Sequence, residues 1–266
     1  MTPGAVTMRI LLDIPYPRPK QLSDPHNDFG GPAGTAKYLA VPDEEMTWKQ
    51  FNRMFQKFLP AGTYEELVYF VPAVLNDFVR EAESDVDHEN GVNEYWEGFF
   101  AFLRNNMDRL HADRLIEPLR NAFQQCLDIL LQTFTVEHIP ASERWRPHYH
   151  VRHEDTFQGL MISLAEFEVF REVAVSTLNV LAGQKDDPVK SAWFLLYTAD
   201  ADEDSIEDPA FGPLVTGKDL ICYHIEKVRQ SLAKTQPSPY WEKMFNYLGT
   251  EEYLRRKGEG KSFHLG

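Results

Sequence analysis

The amino-acid sequence predicts an all-α protein, an irregular bundle of about eight to nine helices preceded by an extended, Pro/Gly-rich N-terminal arm. Three observations predict it. Apolar residues recur at three-and-four spacing in segment after segment, beginning with Trp48, Phe51, Phe55, Phe58 and Leu59 and then Leu67, Phe70, Val71, Val74, Leu75 and Phe78. Capping residues and breakers fall where those stripes start and stop. The composition is that of a globular core, 43% hydrophobic and 13% aromatic with 18 Phe, and a chain of 266 residues buries about 70–75% of its unfolded surface without disulfide or metal.

Taken in order, the arm covers residues 1–42. Residues 6–14 alternate enough (Ile10, Leu12, Ile14) to predict one short strand. Pro15, Pro17, Pro19 and Pro25 then hold the backbone extended, and Gly30-Gly31-Pro32-Ala33-Gly34 reads as a flexible surface stretch. It lacks the Lys-Ser/Thr ending of a phosphate loop. Helical sequence begins near Asp43. Asp43 or Thr47 caps a helix to Leu59, which Pro60, Ala61 and Gly62 end. Thr63 and Glu66 form a capping box for a second helix to about Ala82. Pro72 inside it predicts a kink or a restart.

Tyr95, Trp96, Phe99, Phe100 and Leu103 mark a third helix. Leu119, Phe123, Cys126, Leu127, Leu130, Leu131 and Phe134 put one long face on residues 115–134. Two prolines around a polar run make 140–147 the expected boundary between helical regions 43–139 and 148–266, which either share one core or form two. Residues 157–181 predict a single long helix ending at Gly183. Asp187 and Pro188 supply a cap and first-turn proline for the next. After an irregular acidic segment at 200–217, helices are expected over 218–232, from Ser238-Pro239 to Leu248, and over 251–256.

The stretch 48–134 resembles a family of small bacterial proteins known as a domain of unknown function. The resemblance rests on Trp48, Phe58-Leu59-Pro60, Glu65-Glu66 and Tyr69-Phe70-Val71-Pro72-Ala73 with Leu75. It covers about a third of the chain, implies a bacterial helical module, and brings no functional residues with it.

Charge bounds the function. A formal charge of −14, from 41 acidic and 27 basic residues, repels phosphate backbones, so nucleic acid and anionic membrane are not expected partners. Cys126 and Cys222 both read as small core hydrophobes of a reducing compartment. The first residues carry no basic leader followed by a long apolar run, and the most apolar region contains Glu166, Glu168, Arg171 and Glu172. Cytoplasmic localisation is the expectation.

Two constellations carry candidate chemistry. Three of the nine histidines, His148, His150 and His153, fall within six residues. In an extended segment the first two point the same way, and three imidazoles are a common transition-metal set. Arg146 and Arg152 oppose a cation there, so no cofactor is expected and a transition metal is the alternative. Acids concentrate at Glu81–Glu97 and at Asp200–Asp208. The latter begins like a calcium loop but has Ser205 at the glycine position and Phe211 at the closing-glutamate position. Asp85, Asp87, Glu89, Asp202 and Asp204 therefore read as a docking face for a basic protein partner. No Gly-x-Ser-x-Gly elbow, dinucleotide fingerprint or Walker loop is present. The expectation is a cytoplasmic bacterial binding protein of the immunity or inhibitor kind, more non-enzyme than enzyme. A metal-dependent hydrolase centred on the histidines and a structural or scaffolding protein are the alternatives.

Overall fold

The computed structural model describes residues 9–24, 30–55, 61–83, 92–133, 152–183, 187–200, 207–232, 239–248 and 250–258. Among these the regular elements are helices, with no strand. The chain divides into two compact units, Met1–Cys126 and Leu127–Gly266, so the division falls inside a helix. The boundary expected at 140–147 lies outside the described residues.

In the first unit, residues 9–14 form no strand. The side-chain amide of Asn76 takes the place of a neighbouring strand, accepting from Ile10 N–H at 2.9 Å and donating to Ile10 C=O at 2.9 Å. The glycine-rich stretch expected to be a flexible arm instead opens helix α1 (Gly31–Leu39), with proline in its first turn where a missing N–H costs nothing. A 3₁₀ turn follows at Asp43–Glu45. Helix α2 (Trp48–Met54) starts after Thr47, whose N–H is taken by the Gln50 side chain, and ends earlier than its apolar stripe suggests.

The Thr63–Glu66 capping box is present and opens α3 (Tyr64–Val68). Tyr69 and Phe70 then break the helix, and α4 (Val71–Glu83) restarts with Pro72 at its second position. The proline thus marks a restart rather than a kink. α5 (Val92–Asn105) and α6 (Met107–Ala112) follow, and the first part of α7 (Ile116–Thr133), through Cys126, completes this unit. Helix α2 packs on α4 and α5. Phe55 meets Phe99 and Phe102 edge-on at 5.5 and 5.3 Å, while Phe100 stacks on Phe123 at 5.7 Å.

In the second unit the long helix expected over 157–181 is two, α8 (Arg152–Ala165) and α9 (Arg171–Gly183). The turn between them buries Phe167 and Phe170, and the two helices pack on one another. An unbroken rod from 152 to 183 would run about 48 Å at ~1.5 Å per residue and leave that face uncovered. Asp187 caps α10 (Pro188–Asp200) through Lys190 N–H at 3.2 Å. Then come α11 (Gly212–Val215), α12 (Lys218–Leu232), α13 (Pro239–Tyr247) and α14 (Glu251–Gly258). Helix α10 is the centre of this unit: it packs on α8, α9 and α12, and every residue from Ser191 to Thr198 is buried. The cysteines part company. Cys126 is buried, but Cys222 lies on the exposed side of α12 and is not a core residue.

Candidate functional site

The candidate docking carboxylates and the candidate metal-ligating imidazoles lie outside the described side chains. Asp85, Asp87 and Glu89 lie between α4 and α5, Asp202 and Asp204 after α10, and His148 and His150 before α8, all outside them. The backbone of His153 belongs to α8, and its side chain is not described. Among the described residues no group of His, Cys, Asp and Glu is arranged to hold a metal ion.

The structure draws together two other polar constellations. The first, in the Met1–Cys126 unit, holds residues 9–24. Asn76 sits on α4 between buried Leu75 and Asp77, and its Oδ1 also accepts from Arg9 N–H. Its Nδ2 donates to Ile10 C=O and to Pro72 C=O, so the amide is fully used. Six residues on, Tyr16 packs edge-on against Tyr64 at 5.9 Å. Both hydroxyls donate to the same oxygen, Asp113 Oδ2, at 2.8 Å each.

Arg109 lies over the Tyr64 ring at 4.1 Å and pairs with Glu65. The carboxylate favours the neutral phenol, so the hydrogen bond to Asp113 raises the Tyr16 pKa, with burial second. For Tyr64 burial comes first and the same bond second, again upward.

Further along, Arg18 donates Nε to Asp43 at 2.8 Å and its two terminal nitrogens to Leu39 C=O and Val41 C=O, both at 2.8 Å. These are carbonyls at and beyond the end of α1, where a helix has acceptors to spare. Asp43 also accepts from Tyr69, whose pKa burial and that bond push up to about 12. Glu66 accepts Ser23 N–H at 2.9 Å. Ile10 and Leu22 are the apolar anchors, at 0% and 1% exposure.

The second constellation, in the Leu127–Gly266 unit, is a serine–histidine pair. His224 on α12 places Nδ1 2.9 Å from Ser191 Oγ on α10, and Nε2 3.2 Å from Ala182 C=O on α9. A carbonyl only accepts, so Nε2 carries the proton and Nδ1 receives the serine hydroxyl. Such a pair invites a nucleophile–base reading. Burial argues against it: Ser191 and His224 are both at 0% exposure, and Phe194 lies over the imidazole at 4.4 Å. The pair ties three helices together.

Sequence reasoning missed both constellations. Asn76 and Asp77 did leave a signal, two polar residues inside a stripe of Val71, Val74, Leu75 and Phe78; a buried polar group needs a partner. Ser191 and His224 left none, because residues that far apart in sequence meet only through helix packing. Comparison of the chain with protein-family models, with curated proteins and with solved structures found no match.

Proposed function

We propose that this chain is a bacterial, cytoplasmic binding protein whose acidic surface engages a basic protein partner, as an inhibitor or immunity protein does. The observation that carries the reading is the charge of −14, whose excess divides evenly between the two units. An acidic field of that breadth steers a basic partner and repels phosphate. The polar constellations add support from another side. Asp113, Asp43 and Asn76 are occupied by the N-terminal segment, and His224 by Ser191 and Ala182. Groups committed in this way are tethers, and they favour a role played by the outer surface.

The test is capture of partners from the source organism's lysate at low and high salt. A basic protein released by salt is the expected result. Neutralising Asp85, Asp87 and Glu89 together should then slow association about tenfold with little change in dissociation. A complex indifferent to salt would refute the reading. So would near-stoichiometric metal in untagged protein, which would favour the hydrolase alternative at His148, His150 and His153.

A further inference from the structure

Tyr16 and Tyr64 meet in a way that suits a covalent bond between them. Their rings lie edge-on at 5.9 Å, and both hydroxyls donate to one atom, Asp113 Oδ2, at 2.8 Å. The oxygen-bearing ends of the two rings therefore converge. The bond to Asp113 keeps Tyr16 protonated at neutral pH, and burial does so first for Tyr64. An electron taken from either ring leaves a strongly acidic phenol, and a carboxylate within hydrogen-bond reach receives its proton. Access is one-sided. Tyr16 is half-buried on non-helical chain, whereas Tyr64 is 5% exposed on α3 with the Arg109 cation 4.1 Å over its ring. That cation opposes the loss of an electron, so oxidation begins at Tyr16.

We propose that Tyr16 and Tyr64 form a site of oxidative cross-linking, where a one-electron oxidant, such as carbonate radical or a peroxidase, joins them as dityrosine. Two equivalents of oxidant are reduced as each ring gives up one electron, and the two hydroxyl protons pass through Asp113 to water. Contact between the rings lets Tyr64 refill Tyr16, so both equivalents enter at the accessible ring. The two phenoxyl radicals then pair in a carbon–carbon bond between the positions beside each oxygen. Hydrogens on those carbons move to the oxygens, which restores both aromatic rings and leaves a product short of two hydrogens. The bond fastens the N-terminal segment to α3 and, like a disulfide, constrains the unfolded chain. Tyr247 and Tyr253 supply a contrast within the same molecule. Their rings are closer, at 5.5 Å, but Tyr253 is at 0% exposure and its hydroxyl faces the carbonyls of Thr198 and Val215, which are not bases.

Photo-oxidation of the full-length protein at neutral pH with a ruthenium polypyridyl and persulfate tests the site, read by digestion and mass spectrometry of the single-chain product. The expected species joins the peptides of Tyr16 and Tyr64 with two hydrogens lost, and dityrosine fluorescence rises with it. Tyr16→Phe should abolish that species. Asp113→Asn keeps an acceptor oxygen but removes the base. It should slow formation about tenfold, less than a buried base is worth because water also reaches the half-buried Asp113. Should this variant lose helicity by circular dichroism, deuterated water takes its place and should slow the wild-type reaction. A single-chain product without the Tyr16-to-Tyr64 species would overturn the proposal. Cross-linking of Tyr247 to Tyr253 at an equal rate would do so as well, as would no slowing in whichever of the two rate tests is read.

Discussion

The two units solve the same problem, satisfying polar groups among helices, in opposite places. In the Met1–Cys126 unit the polar work is at the perimeter and holds non-helical chain. Asn76, Asp113, Asp43 and Glu66 bind the N-terminal segment, and Arg80 reaches from α4 to Glu44 C=O and Met46 C=O while pairing with Asp77. In the Leu127–Gly266 unit it is internal and joins helix to helix. His224 links α9, α10 and α12, and the Tyr253 hydroxyl lies 3.1 Å from Thr198 C=O and 2.9 Å from Val215 C=O. Perimeter tethers fix a segment that has no hydrophobic stripe of its own. Internal ones fix which helix faces meet, where apolar contact alone is permissive.

The largest expected effect that breaks this contrast is at Asp77. Its carboxylate is at 0% exposure and paired with the partly exposed Arg80, so truncating it removes a charge-assisted hydrogen bond and leaves a void beside the core, while Arg80 keeps the Glu44 and Met46 carbonyls. Asp77→Ala should cost about 3 kcal/mol in denaturant unfolding. Ser191→Ala should cost less, about 1–3 kcal/mol, because His224 Nδ1 loses its donor while the packing stays. Equal losses would mean the two devices are energetically alike.

A second effect lies at high pH. Tyr16, Tyr64 and Tyr69 have raised pKa values, the last to about 12 against an ordinary 10.0. For an acid raised in the folded state, the unfolded chain releases its proton first. The stabilisation is therefore complete below pH 10.0 and is lost as pH rises toward about 12. Melting temperature should fall across that window, and Tyr69→Phe should flatten the fall. An unchanged slope would show that Tyr69 is not held by Asp43.

The smallest effect should be a gain. Arg114 has φ 60° and follows α6 with the paired bonds of a Schellman turn, Arg114 N–H to His111 C=O and Leu115 N–H to Leu110 C=O. A left-handed residue with a Cβ carries about 1 kcal/mol of strain. Arg114→Gly should raise the melting temperature by a few degrees, about what ~1 kcal/mol does in a domain of this size. A drop would assign the Arg114 side chain a contact worth more than the strain.

Much of the fold was legible because helix signals are local. The Thr63–Glu66 box, the Asp187–Pro188 start and the 218–232 helix need only neighbours within a turn or two. Failures came where local signals were incomplete. Glycines at 30–34 suggested loose chain, yet Pro32 and the residues after it form α1. An unbroken stripe through Glu166–Phe170 suggested one helix, yet burying Phe167 and Phe170 and packing α8 on α9 required a turn. Cys222 sits between apolar residues in sequence, but its position on α12 faces outward.

By itself, then, the sequence determined the all-α class, the caps, a disruption of the helix at Pro72 and the acidic character, because each depends on hydrogen bonds within a turn or on summed charge. Tertiary structure alone decided that Tyr16 and Tyr64 share Asp113, that Asn76 stands in for a strand, and that His224 meets Ser191 and Ala182. Those pairings join residues separated by 33 to 97 positions, and no local propensity encodes which distant polar group will lie within reach once the apolar faces have closed.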